Sequence, residues 1–173
     1  MKVLRCGSLA TLVAFTVGIV TALTVVPAAT ASAPIREIIP APDDRLITDQ
    51  CSFPVLGHID GSEIDTTFTD NAGNPVRLLG VFPGNTLTLT NLDTSESITL
   101  GATGSFQLRV QPDGSGSAMV TGLGAWPEGN PITGEPGIWY QRGRVSATFD
   151  AEGNTTSIRS AGTLVNLCTQ LAS

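Results

Sequence analysis

The sequence predicts an all-β fold: an antiparallel meander of about nine strands, closed as a barrel or a barrel-like sandwich, with a short C-terminal helix. Three observations carry that expectation. Apolar residues recur at every second position in short runs. The runs are separated by Asp, Asn, Gly and Pro clusters that specify turns. Two cysteines, Cys51 and Cys168, stand at the two ends of the patterned region. A sheet that closes on itself loses its exposed edges and brings its first and last strands together, which is where two bridged cysteines have to meet, within about 7 Å between α-carbons. Two stacked sheets would bury the same positions, so barrel and sandwich both stay open.

Two segments of different character precede the patterned region. Residues 1–31 carry Lys2 and Arg5, then a charge-free apolar run, then Pro27-Ala-Ala-Thr-Ala-Ser-Ala33. This is the layout of a secretory signal peptide. Ala29-Thr-Ala31 places cleavage before Ser32, whereas cleavage after Ala33 would set Pro34 beside the scissile bond. An uncleaved anchor is the competing reading, since the run is at the lower edge of what spans a bilayer. Cys6 lies on the charged side of the run and leaves with it. Residues 32–50 hold Pro34, Pro40 and Pro42 among Asp43, Asp44 and Asp49, a density of proline that reads as a flexible, extended leader, with Ile38 and Ile39 able to dock on the domain. Residues 51–173 form the disulfide-closed β domain.

From Cys51 each element follows from its own pattern. Phe53, Val55, Gly57 and Ile59 alternate, and Asp60-Gly61 turns the chain into Ile64, Thr66 and Phe68 as a hairpin. Asp70-Asn-Ala-Gly-Asn74 leads to Val76, Leu78, Gly80 and Phe82. After Pro83-Gly84-Asn85, Thr86-Leu-Thr-Leu-Thr90 has strict period two, leucines dry and threonines wet. Asn91-Leu-Asp-Thr-Ser-Glu96 leads to Ile98 and Leu100. Phe106, Leu108 and Val110 form the next strand, and Pro112-Asp-Gly-Ser-Gly116 turns it into Ala118 and Val120. Regularity stops across 122–137, where Trp126, Pro127, Pro131 and Pro136 predict one long loop. The longest strand covers 138–149, with Trp139, Gln141, Gly143, Val145, Ala147 and Phe149 on one side. Ile138, Tyr140, Arg142, Arg144, Ser146 and Thr148 occupy the other, and Gly143 allows a bend. Asp150-Ala-Glu-Gly-Asn154 turns into a run whose one large apolar residue is Ile158. Leu164, Leu167, Cys168 and Leu171 fall at helical spacing with Asn166 as a candidate cap; a last strand through Leu164, Asn166 and Cys168 is the alternative.

Loss of Lys2 and Arg5 with the leader leaves seven basic residues, all arginine, against fifteen acidic ones, a formal charge of −8. An acidic, lysine-free chain argues against nucleic acid and against an anionic membrane as partners. In an oxidising compartment Cys51 and Cys168 are expected to bridge, against the alternative of two buried free thiols. A loop of this size gains about 4.7 kcal/mol in the chain-entropy treatment, comparable to the net stability of a small domain.

The opening Cys51-Ser-Phe-Pro-Val55, the Gly114-Ser turn after Pro112-Asp113, the strand Gly137-Ile-Trp-Tyr-Gln-Arg-Gly-Arg-Val145 and the close Gly162-Thr-Leu-Val-Asn-Leu-Cys168 resemble the uncharacterised small secreted β-rich proteins of actinobacteria. The resemblance covers most of the domain. It implies a secreted β domain with one N-to-C-terminal disulfide, from a high-GC bacterium, and brings no activity with it.

The residues for chemistry are few. His58 is the one histidine, on a strand face with Asp60, but a Ser-His-Asp hydrolase also needs a nucleophile elbow, and no G-x-S-x-G occurs. One histidine and no spare cysteine exclude an ordinary zinc site. The oxygen donors of Asp93-Thr-Ser-Glu96 and Asp150-Ala-Glu-Gly-Asn154 lack the spacing of an EF-hand and are also what turns require. Gly114-Ser-Gly116 and Gly122-Leu-Gly124 lack the lysine of a phosphate loop. No catalytic residue, metal or cofactor is therefore expected. Trp126, Trp139, Tyr140, Arg142 and Arg144 remain as a candidate ligand site, aromatic contacts at a barrel mouth beside guanidinium groups for an anion. The bland reading puts Trp139 in the core, Trp126 over one barrel end and the arginines in solvent. The expected function is a non-catalytic extracellular or cell-envelope interaction module, a monomer with a protein or small-ligand partner. The alternative is a barrel that binds a small ligand near the 122–140 aromatics.

Overall fold

The computed structural model describes residues 33–40 and 44–172. The expected signal segment, residues 1–31, lies outside them. The chain is all-β and every strand pairing is antiparallel. Strands β1 (Ile35–Pro40), β4 (Ser62–Thr69), β5 (Pro75–Phe82), β8 (Gly104–Val110), β9 (Gly116–Trp126), β10 (Trp139–Phe149) and β11 (Thr155–Asn166) form a seven-stranded sheet in that spatial order. Strands β2 (Arg45–Ile47), β3 (Val55–Asp60), β6 (Thr86–Asn91) and β7 (Ser97–Gly101) form a second sheet of four. Helix α1 (Cys168–Leu171) follows β11.

Neither sheet closes, so the barrel is corrected to a pair of open sheets. The physical reason is the path of the chain. It visits the sheets in turn, adding a single strand, a hairpin or, on the last visit, the four strands β8 to β11 to a sheet with free edges, so β1 and β11 end on opposite edges of the larger sheet. Asp60-Gly61, expected to make a hairpin, instead carries the chain from β3 in one sheet to β4 in the other. Three such crossings meet at the buried Asn85. Its Oδ1 accepts from the Ser62 amide at 3.1 Å and its carbonyl accepts from Ala102 N at 2.7 Å. Corners where strands change sheets are a regular device of β-sandwiches.

The segment 32–50, expected as a leader outside the domain, contributes a strand to each sheet: β1 pairs with β4 and β2 with β3. The predicted long loop is shorter at its start, because β9 runs on to Trp126 before the chain leaves the sheet. At the far end both readings hold in part. The strand continues to Asn166, and the helix begins at Cys168, whose amide donates to Asn166 Oδ1 at 2.9 Å.

The main core lies where the four-stranded sheet meets one end of the larger one. Val55, Leu87 and Leu89 pack with Ile47, Ile138, Tyr140, Leu167 and Leu171. Burying each such aliphatic side chain contributes about 1.5–3 kcal/mol. The Cys51–Cys168 disulfide forms, with α-carbons 5.4 Å apart. It does not seal a barrel seam; it fastens the loop before β3 to the first residue of α1, and so staples one sheet to the other. Asn91 adds a buried tie, its Nδ2 donating to the Leu171 carbonyl at 2.9 Å.

A row of glycines crosses the larger sheet. Gly104 pairs with Gly122, Gly122 with Gly143 and Gly143 with Gly162. The last three have φ of 110°, 126° and 133°, and a Cβ at any of the four would run into backbone of the next strand. The row is a line of close backbone approach along which a sheet bends, as expected at Gly143 alone.

Candidate functional site

The alternation of side chains along strands, combined with cross-strand register, sorts the larger sheet into two faces. On one, Arg77 lies opposite Arg109, followed across the sheet by Ser117, Thr148 and Ser157. The next row reads Leu79, Gln107, Met119, Ser146 and Arg159, and the next Val81, Ser105, Thr121, Arg144 and Ala161. Arg142 and, on β1, Arg36 share this face. Six of the seven arginines among the described residues are thus on one face of one sheet. The acidic residues of the same seven strands, Glu37, Glu63 and Asp65, all occupy the other.

Among the described residues Arg45 and Glu128 form an ion pair at 2.8 Å and His58 Nδ1 lies 2.6 Å from Asp44 Oδ1, and neither contact involves this face. Arg77 and Arg109 face each other directly, an arrangement that costs stability unless an anion lies between them. Arg77 is held in place from two sides. Its guanidinium sits 5.0 Å from the centre of the Phe68 ring, and Gln107, its amide oxygen turned toward Arg77, accepts from Nη2 at 2.7 Å and Nε at 2.8 Å. Arg142 lies 5.6 Å from the centre of the Tyr140 ring. The four-stranded sheet covers the Ile138 and Tyr140 end of the face. Further along is an open trough of about 450 Å³ with Arg109 and Arg159 in its wall and Ser117, Ser146, Thr148 and Gln107 between them.

The nearest carboxylates in sequence belong to the hairpin turns, and those turns already use them. Asp70 is held below the usual carboxylate range first by the Asn74 side chain, Asp150 by Asn154, and Asp113 by Ser115. The bonds of Asp150 account for one of the two donor clusters weighed for calcium, Asp150-Ala-Glu-Gly-Asn154. Among the described residues no group of three or more His, Cys, Asp or Glu side chains could hold a metal.

The opposite face carries a different device. Gly80 has no side chain, and the Glu63 and Asp65 carboxyls fill the space it leaves. Burial, then a hydrogen bond and the charge of Asp65, pushes Glu63 up to about 7. Asp65 Oδ1 is buried with no conventional partner among the described residues, and a proton carried by Glu63 supplies one.

The five residues expected at an aromatic mouth do not converge. Trp126 and Trp139 are cross-strand partners on the carboxylate face; Trp126 Nε1 donates to Gln141 Oε1 at 3.0 Å and Trp139 Nε1 to the Glu135 carbonyl at 3.2 Å. Tyr140, Arg142 and Arg144 are on the arginine face. Tyr140 is a core residue, 4% exposed, with its hydroxyl donating to the Gly101 carbonyl at 2.7 Å. Tyr140 and Arg142 do share a shallow cleft of about 210 Å³ beside Leu100 and Val165. His58 pairs with Asp44 rather than Asp60, and both partners are exposed. Sequence reading missed Arg77, Gln107, Arg109 and Arg159. The available signal was confined to Arg142 and Arg144, which alternate onto one side of a single strand. Comparison with protein-family models, curated proteins and solved structures finds no match.

Proposed function

We propose that this chain is a non-catalytic interaction module, exported to the cell envelope or medium, that engages an anionic partner through the arginine face of its seven-stranded sheet. One observation carries the reading. A chain of formal charge −6 gathers six arginines on a single sheet face and keeps carboxylates off the strands there. Unpaired like charges placed opposite one another reduce stability, and an anion seated among them relieves the repulsion while gaining bidentate guanidinium contacts. The disulfide and the leader pattern support export.

Retention on a sulfonate matrix at pH 7 and low ionic strength tests this. An acidic protein without an organised cationic face passes straight through; this one is expected to bind and to elute with salt. The R109Q/R159Q double variant should emerge in the flow-through. A wild-type protein that is not retained, or a variant retained equally well, rules the reading out.

A further inference from the structure

We infer that the trough on the arginine face is a binding site for an acidic polysaccharide, with sugar carboxylates on Arg109 and Arg159 and sugar hydroxyls on the side chains between. The inference rests on the proposed anion-binding role and names its ligand.

Three properties of the trough select this chemistry. First, its cations are sparse and separated. Arg109 and Arg159 lie on β8 and β11, three strand spacings apart, about 14 Å across the strands. A duplex nucleic acid presents a charge every ~1.7 Å, which an acidic protein repels as a whole; a polymer with one carboxylate per sugar matches a pair of distant guanidinium groups much better. Second, the ground between the two arginines carries hydroxyl and amide groups around the apolar Ala118, Met119 and Ala147. Ser117, Ser146, Thr148 and Gln107 offer uncharged donors and acceptors suited to a polyol. Third, no aromatic ring lines the trough. Single-stranded nucleic acids are held by stacking bases on such rings, so that ligand lacks its usual platform here. The volume, about 450 Å³, falls within the roughly 300–1,000 Å³ of small-ligand sites, yet the trough is open along the sheet, so a chain can pass over it rather than a monomer being enclosed.

Isothermal titration with a hexuronic acid oligosaccharide tests the assignment, set against a neutral hexose oligosaccharide of equal length, a short polyphosphate and single-stranded DNA. The uronate is expected to bind best. R109Q/R159Q should weaken it by at least about tenfold, the equivalent of one lost charge-assisted hydrogen bond. S117A/S146A removes hydroxyls and no charge. It should weaken the uronate several-fold while leaving retention on the sulfonate matrix unchanged, a readout that a merely misfolded variant would fail. Equal binding of polyphosphate, DNA or the neutral sugar overturns the assignment, as does an S117A/S146A variant with wild-type uronate affinity. If sulfonate retention persists without uronate binding, the ligand class is wrong and the anion-binding face stands; if both are absent, both readings fall.

Discussion

In the four-stranded sheet Leu87 and Leu89 are buried while their neighbours Thr88 and Thr90 are part-exposed; along β4 of the seven-stranded sheet all eight residues are half-buried, with no alternation. The smaller sheet has one dry face, pressed on Ile138, Tyr140, Leu167 and Leu171. The larger is part-covered on both sides, and its faces differ instead in charge. Arginines stand on one and a proton-sharing carboxyl pair on the other. Stability is therefore concentrated where the two sheets meet, and the remainder of the larger sheet is free to carry groups that a core would not tolerate.

The largest effect should come from removing the staple between the two sheets. The C51S/C168S variant is expected to lose about 2–5 kcal/mol, measured by urea denaturation of both proteins. A midpoint unchanged from wild type would mean that the sheets are held without it. The contrast between sheets sharpens with L89A and L108A. Leu89 is 1% exposed, and its truncation should cost about 2–5 kcal/mol. Leu108 is half-buried in the larger sheet, and its truncation should cost no more than about 2 kcal/mol. Equal losses would show that the larger sheet has a dry core of its own.

The smallest effect is a pH dependence confined to the carboxylate face. Because the folded chain holds Glu63 at about 7, above its ordinary 4.5, it binds a proton that the unfolded chain gives up between those values. Glu63 therefore contributes most below pH 4.5, and stability falls as pH rises from there to about 7. The lowered carboxyls of Asp70, Asp113 and Asp150 act with opposite sign, their stabilisation being lost as pH falls below the ordinary 3.8. E63Q should melt above wild type at pH 8, with the gap closing as pH drops to 4.5. A gap independent of pH would show that Glu63 does not hold the proton.

The sequence made the smaller sheet legible because one-sided burial writes itself as alternation, as in Thr86-Leu-Thr-Leu-Thr90. It made the turns legible too. Asp70-Asn-Ala-Gly-Asn74 and Asp150-Ala-Glu-Gly-Asn154 form the same hydrogen bonds, each Asp carboxylate accepting from the backbone and side chain of its Asn. Strand β1 was not legible, because Pro34 and Pro40 bracket it and its partner, the edge of β4, lies in a distant part of the chain. The arginine face was hidden for a related reason. Parity placed Arg142 and Arg144 beside Ser146 and Thr148, but only pairing and register bring Arg77, Arg109 and Arg159 to that side. Alternation alone had already put Trp139 and Tyr140, neighbours in one strand, on opposite faces.

The route of the backbone between layers bears on the order of assembly. The larger layer cannot be completed from a contiguous half of the chain, and the hydrophobic centre stays open until Leu167 and Leu171 have been delivered. Hairpins between consecutive strands can form early, but the pairings that join them, β1 with β4, β3 with β6 and β5 with β8, come later through contacts distant in sequence, a step that folds slowly and leaves unfinished edges exposed meanwhile. A truncated chain that stops before Leu167 would then be a collection of sticky hairpins rather than a smaller version of the protein.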